Sequence, residues 1–534
     1  MSKFNRPTTR AAVSSPIRST ATTPTGTTFE GAPGWSREPK GELFLLAVSN
    51  MVGEGTFYEG AADRDDRFSR LVHQVAVEDA GWTLEFLRWL RGDANMRSAS
   101  LVAAAEAVKA RLDAQVLPDS NVHNEVPNRS LIDAVLQRAD EPGEMLAYWT
   151  SRYGRNVPKP VKRGVADAVR RLYNQGALLK YDTDSKGWRF GDVVDVVHPI
   201  PSNDRPWQGD LFAHALDRRH GRDNPVPDSL DMLRRRAELM SWPVEQRRAL
   251  LAQPAASLTL RAAGMTWEAL AGWLNGPMDA AAWQAIIPSM GLFALVRNLR
   301  NFDQAGVPDD VAAAVAAKIS DPDRVGKSRM LPMRFLAAYR TAPSLRWGHA
   351  LELALGHSLA NVPALPGRTL VLVDRSGSMQ NRLSERSDLT RGDAAATFGT
   401  ALAMRAEHAD LVQFGTTSDR VTLGRGESLL RALDRFDWLG GTDTAGAVSR
   451  WYRNGFHSRV VIVTDEQAGF YGGDPTSRVP ATVPVYTWNL AGHEHGHGPS
   501  GSGLRHTFGG LSDQAFRIIP LLESGRSGSW PWEV

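Results

Sequence analysis

The chain has 534 residues, long enough for two or more domains, and its apolar fraction of 42% is ordinary for a folded protein. Cysteine is absent, which excludes disulfides, zinc ribbons, iron–sulfur clusters and thiol nucleophiles. The formal net charge of +3 is too small to indicate a nucleic-acid partner by itself, and no run approaches the roughly 18 apolar residues of a membrane span. A chain without cysteine suits a reducing cytosol, and we expect a cytoplasmic protein.

Residues 1–38 are rich in Thr, Ser, Pro and Arg and show no apolar periodicity. This composition predicts a disordered basic arm. A basic arm can contact RNA, and a solvated tail explains the same composition equally well.

Residues 39–363 predict one helix after another. Trp82, Phe86, Trp89 and Leu90 recur at helical spacing, so we expect most tryptophans here to pack in a core. Short helices without a clean fixed period indicate an α-solenoid of helical pairs. The same pattern predicts helices at Leu131–Leu136, Met145–Tyr153, Val165–Leu172, Leu230–Met240, Trp267–Leu274, Trp283–Leu299, Val311–Ile319 and Met333–Tyr339.

Positive charge is concentrated in residues 152–189, and the last lysine of the chain is Lys327. Arg163 and Arg170 are seven residues apart and share a helix face, while Val165 and Val169 fall on the opposite, buried stripe. Such a face binds phosphates through charge, although a solvated helix surface is the ordinary alternative. Within this segment the RNA-binding candidates are Arg163, Arg170, Arg171 and Arg189.

A Pro/Gly-containing linker at residues 362–367 predicts a domain boundary, and residues 364–534, called here the A domain, alternate strands with helices. This order predicts a doubly wound α/β domain. The predicted strands are Thr369–Val373, Ala409–Phe414, Arg459–Thr464 and Val483–Leu490, and the predicted helices are Arg391–Glu407, Thr444–Tyr452 and Leu511–Leu521.

Two buried strands of this domain end in acidic residues. Asp374 follows the first, with Ser376 and Ser378 at alternate positions, and Asp465 follows the strand that ends at Thr464. Ligands bind at the carboxyl ends of strands in open α/β sheets, and a carboxylate with hydroxyls suits Mg²⁺. A third segment, Gly440–Thr444, is a tight loop that opens a helix.

These three segments resemble the metal-ion-dependent adhesion site of von Willebrand factor A domains. The resemblance implies a divalent cation, Mg²⁺, held by Asp374, Ser376, Ser378, Thr442 and Asp465. The motif contains no nucleophile or base, so it indicates binding of an acidic group rather than hydrolysis. Arg375 departs from the usual motif by adding a cation beside the site.

Alternating His and Glu at residues 493–497 suggest a second metal site. The Gly/Ser-rich loop and the short spacing favour an adventitious site. No Ser-His-Asp set, phosphate-binding loop or paired-carboxylate arrangement stands out, so we expect no catalysis.

Several strings in order along the chain resemble the Ro autoantigen family, or TROVE proteins, whose bacterial members are Ro sixty-related proteins with a C-terminal von Willebrand factor A domain. They are Gly53–Tyr58, Val165–Asn174, Gly187–Pro199 and Leu292–Leu299. The resemblance implies a HEAT-like helical ring at residues 39–363 and a von Willebrand factor A domain at residues 364–534.

The family resemblance also implies function. Y-like RNA would bind the outer surface of the ring, single-stranded 3′ ends of misfolded non-coding RNA would enter its hole, and polynucleotide phosphorylase or another exonuclease would join through the Y-like RNA. The family's Y-RNA contacts correspond to Lys180, Lys186 and His198, although Pro199 and Ile200 here replace a basic position. We expect a monomer without membrane contact.

Two other functions are compatible with the sequence. In one, the chain is a metal-dependent protein–protein interaction scaffold without an RNA role. In the other, less favoured, it is a metal-dependent nuclease.

Overall fold

The computed structural model describes residues 13–49, 52–115, 126–342, 344–469 and 472–533. Helices dominate the first two thirds of the chain. They are α1 (Pro39–Ser49), α2 (Ala61–Glu78), α3 (Ala80–Gly92), α4 (Arg97–Asp113), α5 (Asn128–Val135), α6 (Glu141–Tyr153), α7 (Lys159–Leu172), α8 (Gln175–Tyr181), α9 (Phe190–Val197), α10 (Trp207–His220), α11 (Asp231–Met240), α12 (Val244–Leu251), α13 (Ala256–Ala262), α14 (Trp267–Leu274), α15 (Ala280–Ile286), α16 (Leu292–Gln304), α17 (Asp309–Ile319), α18 (Pro322–Ser328), α19 (Pro332–Thr341) and α20 (Gly348–Ser358).

Local signals set the ends of these helices. The helix α14 begins where the Thr266 side chain accepts a hydrogen bond from the backbone N–H of Ala269, and it ends at Asn275 in the left-handed conformation. Both are common ways of satisfying the free backbone groups of a helix terminus. Its bounds are the ones that the sequence predicts.

The predicted helix Trp283–Leu299 is in fact two helices, α15 and α16. A short 3₁₀ turn, Ile287–Ser289, separates them. Pro288 lacks a backbone N–H and cannot continue the helical hydrogen bonds, Met290 is extended with φ of −74° and ψ of 135°, and Gly291 starts the next helix. The apolar periodicity continues across the break because both helices face the same core.

Helices that are near in sequence contact each other, either as neighbours such as α9 and α10 or as alternate helices such as α5 and α7, as in an α-solenoid. The stack also closes on itself. The Asn95 Nδ2 donates to the carbonyl oxygen of Arg329 at 2.7 Å, and the Arg329 Nη1 donates to Gln137 Oε1 at 2.7 Å. Early and late helices are therefore joined, and the helical region forms a ring. As predicted, tryptophans such as Trp149 and Trp347 are buried in its core.

The A domain holds both ends of this ring. From α2, Arg64 Nη2 donates to the carbonyl oxygen of Ala491 at 2.6 Å, and Arg67 Nη2 donates to that of Gly492 at 2.8 Å. From α19, Arg340 pairs with Asp393 at 2.9 Å.

The strands of the A domain are β3 (Leu365–Asp374), β4 (Ala406–Phe414), β5 (Ser418–Arg420), β6 (Arg459–Thr464), β7 (Val485–Asn489), β8 (His495–Gly496) and β9 (Arg505–Gly509). Six of them form a central sheet with strand order β5-β4-β3-β6-β7-β9, in which the edge strand β5 is antiparallel to its neighbour and the others are parallel. Val371 and Val373 face one core, and Leu370 and Leu372 face the other, as expected for a parallel sheet covered on both faces. The doubly wound prediction is confirmed. The helices of the A domain are α21 (Arg391–Arg405), α22 (Leu429–Leu433), α23 (Thr444–Trp451) and α24 (Ile518–Glu523).

The segment predicted to be a disordered arm is ordered wherever the structure describes it. Residues 1–12 lie outside the described residues, and residues 13–38 contain β1 (Gly26–Thr27) and β2 (Pro33–Ser36). The strand β2 pairs with β8 of the A domain, and Val13, Ile17 and Trp35 are buried. Composition gave the wrong prediction because the segment is ordered by long-range contacts, including the pairing of β2 with β8, which composition does not show. No helix among the described residues is long and apolar enough to cross a membrane.

Candidate functional site

The predicted metal ligands meet at the carboxyl edge of the central sheet. Neighbouring parallel strands β3 and β6 end side by side, so Asp374 lies beside Thr464, whose hydroxyl donates to Asp374 Oδ2 at 2.6 Å. Asp465 follows immediately. Both carboxylates are buried, with relative exposures of 0% and 2%.

Three hydroxyl-bearing residues complete the set of predicted metal ligands. The backbone N–H of Ser376 donates to Asp374 Oδ1 at 2.9 Å, which turns the loop so that the Ser376 and Ser378 hydroxyl oxygens lie 3.2 Å apart. Thr442 lies on the neighbouring loop that opens α23. All five predicted ligands have relative exposures of 9% or less.

The environment of Asp374 and Asp465 disfavours the charged form of both carboxylates. Burial raises the pKa of both, and the charge of Asp374 adds to the rise for Asp465, whose pKa reaches about 6. Hydrogen bonds from Ser376 and Thr464 and the charge of Arg375 lower the pKa of Asp374, and a hydrogen bond from the backbone N–H of Gln467 lowers that of Asp465, but neither pKa returns to its ordinary value. Two buried acids with incomplete compensation, surrounded by hydroxyls, fit a hard divalent cation. Asp374, Ser376, Ser378, Thr442 and Asp465 are therefore suited to hold Mg²⁺, which would supply an electrophilic binding position.

Arg375 does not act as a free cation at this site. Its guanidinium lies 3.8 Å from the ring centroid of Trp438, and its Nε donates to the carbonyl oxygen of Asp437 at 3.0 Å. Burial lowers the pKa of Arg375 to about 10. The side chain that interrupts the usual motif thus packs into the domain.

The sequence analysis did not single out Tyr58 or Glu30 as residues near the predicted metal ligands. Tyr58, between α1 and α2, donates its hydroxyl to Glu30 Oε1 at 2.6 Å. Burial, this hydrogen bond and the negative charge of Asp465 raise the pKa of Tyr58. Tyr58 belongs to a string that carries the family resemblance, whereas nothing in the sequence singles out Glu30.

The loop at residues 493–497 does not gather its histidines around one point. His493 is buried and contacts Glu59 Oε2 at 2.8 Å through Nδ1, whereas His497 is buried near Thr487. Among the described residues, no group of three or more His, Cys, Asp or Glu side chains is placed to hold a metal.

The basic helical segment presents part of its charge to solvent. Arg163 and Arg170 are exposed on α7, while Val165 and Val169 on the opposite side are buried. A third arginine, Arg205, lies beside them and donates to the carbonyl oxygen of Arg170 at 2.8 Å. The sequence reasoning missed Arg205 because the fold, rather than sequence proximity, brings it there.

Two predicted RNA-binding arginines already form ion pairs with carboxylates of the protein. Arg171 pairs with Asp133 at 2.6 Å. Arg189 pairs with the buried carboxylate of Asp182 at 3.0 Å and with Asp184 at 2.8 Å. The Arg171 side chain remains 45% exposed, whereas that of Arg189 is only 15% exposed.

The remaining candidates differ in their surroundings. Lys180 is exposed at the end of α8, with its Nζ 5.0 Å from the Tyr181 ring centroid. Lys186 is exposed, and its Nζ lies 3.7 Å from Glu144. His198 is exposed and caps α9 in the left-handed conformation, with φ of 47°. The sequence-predicted residues therefore lie on α7, α8 and the two loops that flank α9.

Comparison with known proteins identifies a family segment and a shared fold. The TROVE domain model matches residues 263–347, which span α14 to α19 and the 3₁₀ turn Leu345–Trp347. The crystal structure of the Deinococcus radiodurans RO (RSR) protein is similar, with a TM-score of 0.58 and 20% sequence identity over 85% of this chain and 93% of that chain. Comparison with curated proteins gives no sequence match.

At this level of identity the structural match establishes the fold, a helical ring followed by a von Willebrand factor A-like domain. The TROVE segment provides independent evidence from sequence, because it lies within the helical region where the quoted strings were found. Together they confirm the resemblance of this chain to the bacterial Ro-like members of the TROVE family.

Proposed function

We propose that this protein is a non-catalytic RNA-binding ring protein that acts in quality control or processing of non-coding RNA. The observation that carries the proposal is the closed helical ring with Arg163 and Arg170 exposed on one face of α7. Exposed guanidinium groups bind phosphates without sequence preference, through charge and counterion release. The TROVE segment supports RNA as the phosphate-bearing partner.

The finer proposal divides the RNA between two surfaces. Y-like RNA binds the outer surface, through α7 and through Lys180, Lys186 and His198. A single-stranded 3′ end of a misfolded RNA enters the ring, because a single strand passes through an opening that excludes the wider A-form duplex.

The A domain adds a cation-dependent binding position. With Mg²⁺ held by two carboxylates and three hydroxyls, a partner's carboxylate or phosphate can take a remaining coordination position. The protein acts as a cytoplasmic monomer, and Y-like RNA joins it to polynucleotide phosphorylase or another exonuclease.

A salt titration tests the RNA-binding proposal. The probe is a fluorescent RNA duplex with a single-stranded 3′ tail, compared with the same duplex without a tail. We expect affinity to fall steeply between about 50 and 200 mM salt, and each of Arg163→Ala and Arg170→Ala to reduce the log–log slope by about 0.7–0.9. Arg431→Ala, at an exposed position of the A domain, is the matched control and leaves the slope unchanged.

The same measurement separates the alternatives. Absence of RNA binding at low salt would leave the metal-dependent protein–protein scaffold as the better function. A preference for the tailed RNA supports entry of the 3′ end into the ring, and equal affinity for both RNAs contradicts it. Breakdown of the probe by purified protein with Mg²⁺ would indicate a nuclease instead.

A further inference from the structure

A small cavity lies beside the RNA-binding candidates Lys180 and Lys186. Its volume is about 90 Å³, and it lies between the start of α6 and the loop that joins α8 to α9. Lys186 lines the cavity, and Lys180 lies over the ring of Tyr181, another lining residue, with its Nζ 5.0 Å from the ring centroid. A ligand that contacts both lysines therefore lies next to this cavity.

Aromatic side chains form much of the cavity wall. Tyr173 stacks on Phe190 with a centroid distance of 3.7 Å and an interplanar angle of 11°, and both are buried. Tyr181 and Trp188 also line the cavity and are half-buried. Unpaired nucleotides are commonly bound by stacking of the base on aromatic side chains, so this wall suits a nucleobase.

The Tyr173 hydroxyl is buried without a hydrogen-bond partner among the described residues. A buried polar group without a partner is costly, and such groups usually bind water or a ligand. Burial and the negative charges of Asp182 and Asp140 raise the pKa of Tyr173, so the hydroxyl stays protonated and can donate. Because Tyr173 lines the cavity, a ligand there can supply the missing acceptor.

Glu144 provides a hydrogen-bond acceptor at the same cavity. Its Oε2 accepts from Arg97, whereas no described residue donates a hydrogen bond to its Oε1. Lys186 Nζ lies 3.7 Å from that oxygen and 3.8 Å from Asp140 Oδ2, both too long for a hydrogen bond. Asp140 is compensated by Arg138, which donates to both of its carboxylate oxygens at 2.6 Å. Glu144 and Lys186 are therefore an adjacent acceptor and donor that can both bind a third polar group.

We propose that this cavity binds an unpaired guanine base of the RNA, whose N1–H donates to Glu144, whose O6 accepts from Lys186 and whose N7 accepts from Tyr173. The inference rests on the proposed RNA binding. Guanine presents these three groups in this order along one side of the base, whereas adenine has an acceptor at N1 and a donor in place of O6. The cavity is smaller than the roughly 300–1,000 Å³ of most small-molecule sites, so it takes the edge of one base rather than a whole nucleotide.

Fluorescence titration of the full chain with stem-loop RNAs tests this proposal. The loop contains uridines and either one guanosine or one adenosine at the same position. We expect the guanosine RNA to bind about three- to tenfold more tightly, because adenine stacks equally well but reverses the hydrogen-bonding groups. Glu144→Gln should remove this preference, since an amide offers a donor as well as an acceptor. Asp195→Asn, at an exposed position of α9, is the matched control and retains the preference.

Tyr173→Phe distinguishes a ligand-binding role from a structural one. Loss of a buried hydroxyl without a partner should leave the melting temperature at or above that of wild type, while affinity for the guanosine RNA falls about two- to tenfold. The salt slope should not change, because no charge is removed. An RNA with 7-deazaguanosine in the loop lacks the N7 acceptor and should bind wild type and Tyr173→Phe equally.

The outcomes distinguish this proposal from RNA binding itself. If wild-type protein binds none of these RNAs at low salt, the proposed function fails and the base site with it. If RNA binds with a steep salt dependence but the guanosine and adenosine RNAs bind equally, the base site alone is overturned. Unchanged affinity of Tyr173→Phe for the guanosine RNA also overturns it, because the cavity would then hold only water.

Discussion

Arg37 and Glu466 form a buried ion pair that joins the N-terminal segment to the candidate metal site. The Arg37 Nη2 lies 3.0 Å from Glu466 Oε1, and the side chains are 1% and 2% exposed. Glu466 directly follows Asp465 and also accepts a hydrogen bond from Asn489 Nδ2 at 2.6 Å. Gly496 leaves room for the guanidinium, since a Cβ there would lie 2.1 Å from Arg37 Nη2.

Replacing Arg37 should be strongly destabilising. Arg37→Met leaves the Glu466 carboxylate buried without its partner, and we expect a loss of about 3–5 kcal/mol in the free energy of unfolding. Because Glu466 adjoins Asp465, affinity for Mg²⁺ should fall as well. Chemical denaturation and calorimetry measure the two effects.

The double variant Arg37→Met/Glu466→Gln controls for lost packing. It should recover part of the stability, because the unpaired charge is gone while the cavity is not. Arg18→Ala, at an exposed position of the same segment, should stay near wild type. A loss below about 1 kcal/mol in Arg37→Met would show that the ion pair does not hold the segment in place.

Arg189 and Arg163 should respond in opposite ways to replacement by alanine. Arg189→Ala weakens the compensation of the buried Asp182 carboxylate, which retains Arg218 at 3.1 Å, so we expect a stability loss of about 1–3 kcal/mol with little change in the salt dependence of RNA binding. Arg163→Ala should lower the salt slope with stability within about 0.5 kcal/mol of wild type. Thermal denaturation and RNA titration on both variants check this. If Arg189→Ala kept its stability but had a lower salt slope, Arg189 would instead belong to the RNA-binding residues.

The fold was predictable wherever a segment's own pattern decides its structure. Alternating strands and helices of the A domain and the apolar stripes of α7 and α14 are local signals, and the structure agrees with them. Order in the N-terminal segment was not predictable, because it depends on pairing between β2 and the distant strand β8. Ring closure through Asn95 and Arg329 likewise joins residues far apart in sequence.

The candidate metal site and the basic surface also contain residues that the sequence predicts correctly and residues that it does not. Asp374 and Asp465 follow recognisable buried strands, so their meeting at one sheet edge follows from the order of the elements. Glu30 lies near Tyr58 only because the N-terminal segment is attached to the A domain. Arg189 pairs with the buried Asp182, so its charge is already partly compensated. Charge counted along a sequence does not show which arginines already have a partner.

Replacing Asp374 should separate metal binding from folding. Asp374→Asn removes one of two carboxylates that the cation needs, so we expect Mg²⁺ binding to be lost in calorimetry. Without metal, loss of the like charge beside Asp465 offsets the weaker hydrogen bonds to Ser376 and Thr464, and stability should stay within about 1 kcal/mol of wild type.

Thermal denaturation gives a second measure of the same variant. Mg²⁺ should raise the melting temperature of wild-type protein, because a ligand that binds only the folded state stabilises it by mass action. The melting temperature of Asp374→Asn should not respond. Undiminished Mg²⁺ binding by a folded Asp374→Asn variant would contradict the ligand assignment.

His506 should make the attachment of the N-terminal segment sensitive to acid. The ring is buried on β9, with Nδ1 at 3.0 Å from the Ser15 hydroxyl, and burial together with the nearby Arg505 lowers the pKa of His506 to about 4. An unfolded histidine titrates near pH 6.5, so the unfolded chain takes up the proton first as the pH falls. The contribution of His506 to stability is therefore complete above about pH 6.5 and is lost progressively toward pH 4, by up to about 3 kcal/mol.

His506→Gln isolates this contribution, because glutamine retains a hydrogen-bonding group for Ser15 but does not titrate. Its free energy of unfolding should fall less steeply than that of wild type between about pH 6.5 and pH 4. His220→Gln, at the exposed end of α10, should follow the wild-type profile. Parallel profiles for wild type and His506→Gln would mean that His506 is protonated as readily in the folded protein as in the unfolded chain, and acid would then release the N-terminal segment, if at all, through other groups.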